Sequence, residues 1–269
     1  MLLIFLSISA LISLTLCMSV GYTGIALIGF FLLFVLLALA AVCLIFALFL
    51  LLVSFWSDRH PGEPKHPFFY RFLLIYTLGT VLQIGRVRLR VTGIKQLPDG
   101  VFFFAGNHRS AFDPLIAIWA LRRYDLNFIS KPSNFKIPIA GPFMRKCGFL
   151  AIDREDDRAA LRTILDAAAC MKDGKACFGV YPEGTRSHGS EMLPFRNGCF
   201  KAAQRAKVPV VVAAIQNSEL IAKNFPWRST YVHLHICGVI PAEEAAAMKT
   251  AELGDKVRDM LEEALRSAD

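Results

Sequence analysis

The sequence predicts an α/β domain, a mixed sheet flanked by helices, preceded by an N-terminal membrane helical hairpin. Three observations predict it. Residues 1 to 57 contain no Lys, Arg, Asp or Glu. From Val87 onward, short runs of strand character alternate with helical runs, the pattern of helices packed on a sheet. One of those strands, Val101 to Ala105, stops at Gly106 and gives way to a polar turn and then to a helical run from Pro114. The expected division is a transmembrane or re-entrant hairpin over 1–57, an interfacial helical linker over 58–86, and the α/β domain over 87–269.

In the hairpin, Leu2 to Met18 and Ile25 to Phe55 are two apolar runs, separated by a break at Ser19 to Gly24. A spanning helix needs about 20 apolar residues, so the second arm is long enough to tilt or to lie partly in the interface. Trp56 sits where an interfacial anchor belongs, followed by Asp58, Arg59 and Lys65. A cleaved signal peptide is the competing reading of the first arm. It lacks the basic n-region and a convincing small-residue cleavage site. Spanning and re-entrant hairpins both leave their two ends in one compartment, and the positive-inside rule makes that compartment the cytoplasm. The compact chain, without an obvious address signal, makes a bacterial inner membrane the expected location.

Charge is unevenly spread. Between Trp56 and Phe149 there are 14 Lys and Arg against 5 Asp and Glu, a net +9, whereas the rest of the domain is close to neutral. A basic surface beside an apolar anchor suits anionic lipid head groups, at about 1 kcal/mol per basic residue near the bilayer. Nucleic acid is not expected, because no recognition module accompanies the charge. Pro67 to Gly85 is apolar and reads either as an interfacial helix or as part of the core.

In the domain, strands are expected at VRLRV (87–91), VFFFA (101–105), LNFIS (126–130), FLAID (149–153), KACFGVYP (175–182), VPVVVAAI (208–215) and YVHLHICGVI (231–240). Helices are expected near 114–123, 155–172 and 195–206, with a terminal helix over 242–267 that Gly254 interrupts. Seven cysteines, without a C-x-x-C pair, read as free thiols of a reducing compartment. His233 and His235 share one strand face but fall short of a metal site's ligand count, and no metal is expected.

The chemistry concentrates in NHRSAFDP (107–114). A histidine at a strand's end accepts a proton near neutral pH, and a carboxylate can hold its ring in one tautomer. His108 and Asp113 are five residues apart, off any common helical face, so the backbone must turn before the helix if they are to meet. The bland alternative has Asp113 capping the helix, with Pro114 at its first position. Ser110 raises the possibility of a Ser–His hydrolase, but the chain has no G-x-S-x-G elbow.

NHRSAFDP resembles the NHxxxxD signature of the glycerolipid acyltransferases, the 1-acylglycerol-3-phosphate acyltransferase family. CGFLAIDR (147–154), VYPEGTRS (180–187) and VPVVVAAI (208–215) are similar to that family's further blocks and fall in its order. The resemblance covers roughly Val91 to Ile240. It implies a membrane-anchored enzyme that moves a fatty acyl group from acyl-CoA or acyl-carrier protein to the free hydroxyl of lysophosphatidic acid, giving phosphatidic acid, with no cofactor. The implied catalytic pair is His108 and Asp113. Arg154, with Lys131 and Arg186, is implied to bind the acceptor's phosphate, and Asn107, Glu183, Gly184 and Thr185 to shape the site.

The residues themselves leave alternatives beside those roles. Arg154 can pair with Asp153, Glu155 or Asp157, as most arginines in an acidic run do. Glu183 and Arg186 can bond one another and staple the loop. Backbone N–H groups near Gly184 are candidate donors for an oxyanion. Another lysolipid acceptor, or a non-catalytic lipid-binding protein of the same fold, would carry the same anchor and basic surface.

Overall fold

The computed structural model describes residues 2–21, 24–59, 67–187, 189 and 191–266. Tyr22 and Thr23 of the expected break, Lys65 of the expected anchor and Ser267 of the expected terminal helix lie outside these. Two apolar helices, α1 (Leu2–Val20) and α2 (Gly24–Arg59), pack side by side, with Phe5 meeting Phe46 edge to face at 5.4 Å. Within α2, Leu27–Ser57 is long and apolar enough to cross a bilayer. The whole helix of 36 residues runs well past the roughly 30 Å of a hydrocarbon core. Its far end docks on the domain, where Leu50 is buried with Leu73 and Phe143.

Helix α3 (Pro67–Ile84) joins the two parts. Leu78 and Leu82 on one face enter the core, while Phe68, Phe72, Tyr76 and Ile84 face outward. The core reading of this stretch thus holds for one side of the helix, and the other side presents apolar rings to the outside. Arg71 fixes its start to the sheet by donating to the carbonyls of Tyr124 (2.9 Å) and Leu126 (3.0 Å) and to Asn127 Oδ1 (3.2 Å).

The domain follows in order: β1 (Val87–Thr92), β2 (Phe103–Gly106), α4 (Asp113–Ala120), β3 (Leu126–Ser130), α5 (Ala140–Lys146), β4 (Leu150–Ala151), α6 (Asp157–Lys172), β5 (Cys177–Val180), α7 (Lys201–Ala206), β6 (Val210–Gln216), α8 (Ile221–Asn224), β7 (Thr230–Ile240), α9 (Ala242–Ala247) and α10 (Thr250–Arg266). All seven expected strands form one sheet, in the order β1-β7-β6-β2-β5-β3-β4. Every neighbouring pair is parallel except β6 and β7.

The central strands β2, β5 and β6 are apolar at nearly every position because both sheet faces are covered. Phe103, Phe178, Val210 and Val212 pack under α6, α7 and α10, and Phe104, Phe128, Val211 and Ile215 pack under α3 and α4. The fourth resembling block is thus core strand: Val210 to Ile215 are all buried, and Pro209 only leads in, its carbonyl accepting from Phe103 N–H at 2.9 Å. Because β7 runs opposite to β6, the C-terminal ends of β2, β4, β5 and β6 share one end of the sheet with the starts of β1 and β7.

Two helical expectations need correction. Gly254 does not interrupt the terminal helix. The break falls at Met248–Lys249, where Glu252 accepts from Lys249 N–H (2.9 Å) and starts α10 afresh. Gly254 sits inside α10 because Asn197 leaves no room, its Oδ1 lying 2.1 Å from where a Cβ would be. The helix expected over 195–206 is shorter, a 3-10 turn at Asn197–Phe200 running into α7.

Replacing Arg71 by Ala strips three acceptors at the start of β3 of their shared donor. The expected cost is about 1–3 kcal/mol, read as a lower thermal midpoint in detergent together with faster amide exchange across 67–84. Unchanged exchange there would show that α3 is held by its apolar face alone.

Candidate active site

The turn after β2 is built around one buried carboxylate. Asp113 is fully buried, and its Oδ2 accepts from Arg109 N–H (2.7 Å), Ser110 N–H (2.7 Å) and His108 Nδ1 (2.8 Å). The backbone turns between the two residues as the five-residue spacing requires, with Asp113 N–H closing onto Ser110 O at 3.2 Å. The capping alternative is not what forms. The N-cap position of α4 is Phe112, without a side-chain cap, and Asp113 reaches back to the loop before it rather than forward into its helix. Since Oδ2 can only accept, Nδ1 carries the proton, and in the neutral imidazole Nε2 is then the acceptor.

His108 is held from three further sides. Its N–H donates to Glu183 Oε1 (2.7 Å), and its carbonyl accepts from Ser187 N–H (2.8 Å). Its ring stacks on Tyr181 with centroids 4.3 Å apart and planes 13° off parallel. Tyr181 in turn stacks on Phe128 at 5.2 Å. Burial, with Asp113 adding to it, pushes the Tyr181 phenol well above its ordinary range, so it stays neutral and acts on His108 as a flat surface. Asn107, also buried, donates to Ile215 O (2.9 Å) and accepts from Ile215 N–H (2.7 Å), so a side-chain amide continues the β2–β6 ladder one residue past Gly106.

Glu183 does not pair with Arg186. Its second oxygen accepts from Leu193 N–H at 2.8 Å, so one carboxylate clasps the His108 turn to the loop at 191–196. Arg186 and Thr185 are exposed beside it. Gly184, at φ +73°, makes the tight turn expected of it, but its N–H is taken by Tyr181 O (2.9 Å) and is not an oxyanion donor. Lys131 is exposed, at the first position after β3 on the same end of the sheet.

Arg154 stands just past β4 and forms no ion pair with the acidic run around it. Asp153 accepts from Glu155 N–H (3.0 Å), and Asp156 caps α6 through Arg158 N–H and Ala159 N–H (2.9 and 3.0 Å). The neighbour of Arg154 is another cation, Arg196, whose Nη1 donates to the Arg154 carbonyl at 3.4 Å. Burial, and then Arg196, lower the Arg154 guanidinium's hold on its proton. Sequence reasoning missed Arg196 and Tyr181. The signal for Tyr181 was its place directly before the EGTR stretch; Arg196 lies in PFRNG, ten residues beyond Arg186, with nothing local to mark it.

Ser110 and four of the thiols are poorly set up as nucleophiles. Ser110 Oγ accepts from Phe112 N–H (3.2 Å) within the turn. Burial raises the thiols of Cys147 and Cys199 to about 12 and those of Cys177 and Cys237 to about 11, which keeps them protonated. His233 and His235 both bond the Thr92 hydroxyl, at 2.7 and 2.8 Å. No group of three or more metal-ligating side chains occurs among the described residues.

The family model described as Acyltransferase matches residues 88–216. A 1-acyl-sn-glycerol-3-phosphate acyltransferase of Saccharomyces cerevisiae is 29% identical over 182 residues, which is 66% of this chain and 60% of that one. One from Borreliella burgdorferi is 27% identical over 159 residues, 57% of this chain and 63% of its own length. The chain thus spans less than two thirds of either relative. The crystal structure of the PlsC 1-acyl-sn-glycerophosphate acyltransferase from Thermotoga maritima superposes with a TM-score of 0.60 over 82% of this chain and 95% of that one, at 21% identity, a likeness of fold. The matched domain runs from β1 to the end of β6 and encloses both His108 and Asp113, and over it the chain is similar to 1-acyl-sn-glycerol-3-phosphate acyltransferases.

Proposed function

We propose that the protein is a 1-acylglycerol-3-phosphate O-acyltransferase, transferring a fatty acyl group from acyl-CoA or acyl-carrier protein to the free hydroxyl of lysophosphatidic acid at the cytoplasmic face of a membrane. The observation that carries the reading is the 2.8 Å bond from His108 Nδ1 to the buried Asp113 carboxylate, which leaves Nε2 as a proton acceptor on a side chain still 19% exposed. His108 Nε2 takes the proton from the acceptor's hydroxyl as that oxygen attacks the thioester carbonyl. Asp113 stabilises the imidazolium that forms. When the tetrahedral intermediate collapses, the C–S bond breaks, the new C–O ester bond remains, and the proton passes from His108 to the departing thiolate. No acyl-enzyme is needed, which fits the Ser110 hydroxyl bonded within its turn and the raised thiols of Cys147, Cys177, Cys199 and Cys237. Arg154 at the end of β4, with Arg186 and Lys131 exposed at the same end of the sheet, supplies cationic groups for the acceptor's phosphate. The bilayer delivers the lipid, with α2 as the anchor.

His108→Ala is expected to lower turnover of lysophosphatidic acid with labelled acyl-CoA by about 10²- to 10⁴-fold, with its thermal midpoint within a few degrees of wild type. Equal product from both proteins would remove His108 as the base. Asp113→Asn keeps the shape but places an amide where three donors converge, so both turnover and stability are expected to fall.

Glu183→Gln leaves either His108 N–H or Leu193 N–H facing an amide donor, at a cost of about 1–3 kcal/mol. A lower melting temperature with reduced turnover is the expected pair of readouts. A variant as stable and as fast as wild type would show that the clasp is dispensable.

A further inference from the structure

The loop that follows the EGTR stretch is fixed more firmly than an exposed surface loop needs to be. Leu193 N–H is held by Glu183, Arg196 N–H donates to Pro182 O at 2.8 Å, and Arg258 of α10 donates to the carbonyls of Met192 and Leu193 while lying 4.9 Å over the Phe195 ring. All these bonds converge on the placement of one side chain. Arg196 lies flat across Gly184, its Cδ and Nε 3.1 Å from where a Cβ would stand, and its guanidinium ends at the Arg154 backbone. Glycine at 184 serves that crossing as well as the turn.

The electrostatics are unusual for a surface. The Arg196 guanidinium ends on the Arg154 backbone, near enough for its charge to act on the Arg154 side chain, and neither arginine forms an ion pair with a carboxylate among the described residues. Asp153 and Asp156, close in sequence, spend oxygens on backbone N–H groups instead. Like charges held together repel, so the arrangement is relieved by an anion that accepts from both. The same turn carries Glu183, which holds His108, so the two arginines belong to the end of the sheet where His108 acts.

We infer that Arg196 is a second arm of the acceptor site, closing with Arg154 on the same phosphate monoester. The inference rests on the acyltransferase reading above and deepens it. Two fixed forks match a dianionic monoester better than a singly charged diester, which makes this pair a determinant of acceptor class. Arg258 is a positioning residue, acting through the loop backbone and through Phe195.

The test measures KM and kcat for lysophosphatidic acid and, as the acceptor without a phosphate, for 1-acylglycerol, in wild type, Arg196→Ala and Arg196→Lys. Arg196→Ala is expected to raise KM for lysophosphatidic acid about 10- to 100-fold with kcat changed less than about threefold, and to leave 1-acylglycerol turnover unaltered. Lys is expected to recover part of the loss. Because both arginines hold one group, Arg154→Ala added to Arg196→Ala is expected to cost less than the product of the single effects. An unchanged KM, or an equal loss on both acceptors, overturns the inference.

Calorimetric titration of lysophosphatidic acid into detergent-solubilised wild type and Arg196→Ala reads binding without turnover, and separates the two levels of the proposal. Binding that weakens about tenfold or more in the variant supports the clamp whatever the turnover. Equal binding refutes it even if wild type is active. A wild type that binds but does not acylate overturns only the activity.

Discussion

One carboxylate oxygen organises the site. Asp113 Oδ2 receives three donors at 2.7 to 2.8 Å in a position closed to solvent. A buried carboxylate is tolerable only when such donors compensate its lost hydration. Here the two backbone N–H groups of Arg109 and Ser110 give part of that compensation, and they can do so only if the chain turns sharply after His108. The turn that makes the carboxylate tolerable is therefore the turn that brings it to the imidazole. Stability and chemistry share one constraint, and neither partner can be moved without disturbing both.

The sheet explains why that turn is rigid. β2 is buried on both faces and flanked by β5 and β6, so its end is fixed by ladders on two sides. Asn107 extends one of those ladders by a residue, and the loop after β5 takes hold of the next through Glu183 and Ser187. Tyr181, backed by Phe128, then closes one face of the His108 ring, the ring that serves as base in the proposed mechanism. A ring restrained by packing loses little further freedom when substrate arrives, which is where positioning contributes to rate.

The sequence made some of this legible and hid the rest for physical reasons. Continuous apolar runs mark the strands covered on both faces, β2, β5 and β6, and alternation marks β1 and β7, so the strands were readable, as were α4 and α6. Asp113-Pro114 was ambiguous because a helix cap and a reach back into the preceding turn use the same residue; only the partners of Oδ2 decide between them. Gly254 was misread because a glycine marks a helix end and a close approach equally well, and the approach of Asn197 is a tertiary fact. Glu183 and Arg186 looked like a pair by their spacing, yet the partners of Glu183 lie 75 residues back and 10 ahead. Arg196 was invisible because its meaning comes from Arg154, 42 residues away. Patterns set by burial repeat along the chain; bonds between loops do not.

The apolar helices are built into the fold. Leu50 of α2 is buried against Leu73 of α3 and Phe143 of α5, so α2 is packed into the domain rather than strung to it. Helix α5 leads directly into Cys147, Gly148 and β4, and β4 ends three residues before Arg154. Gly148, at φ +82°, lets the chain reverse there, with its N–H on Arg145 O at 3.1 Å. On the other side, Arg71 ties α3 to the start of β3, the strand on which β4 pairs. The edge of the sheet that presents Arg154 is thus braced by α3 and α5, both of which pack against α2. On the reading proposed above, a cationic arm braced to the apolar helices keeps the phosphate site at a set height from the bilayer, which a flexible tether would leave to chance.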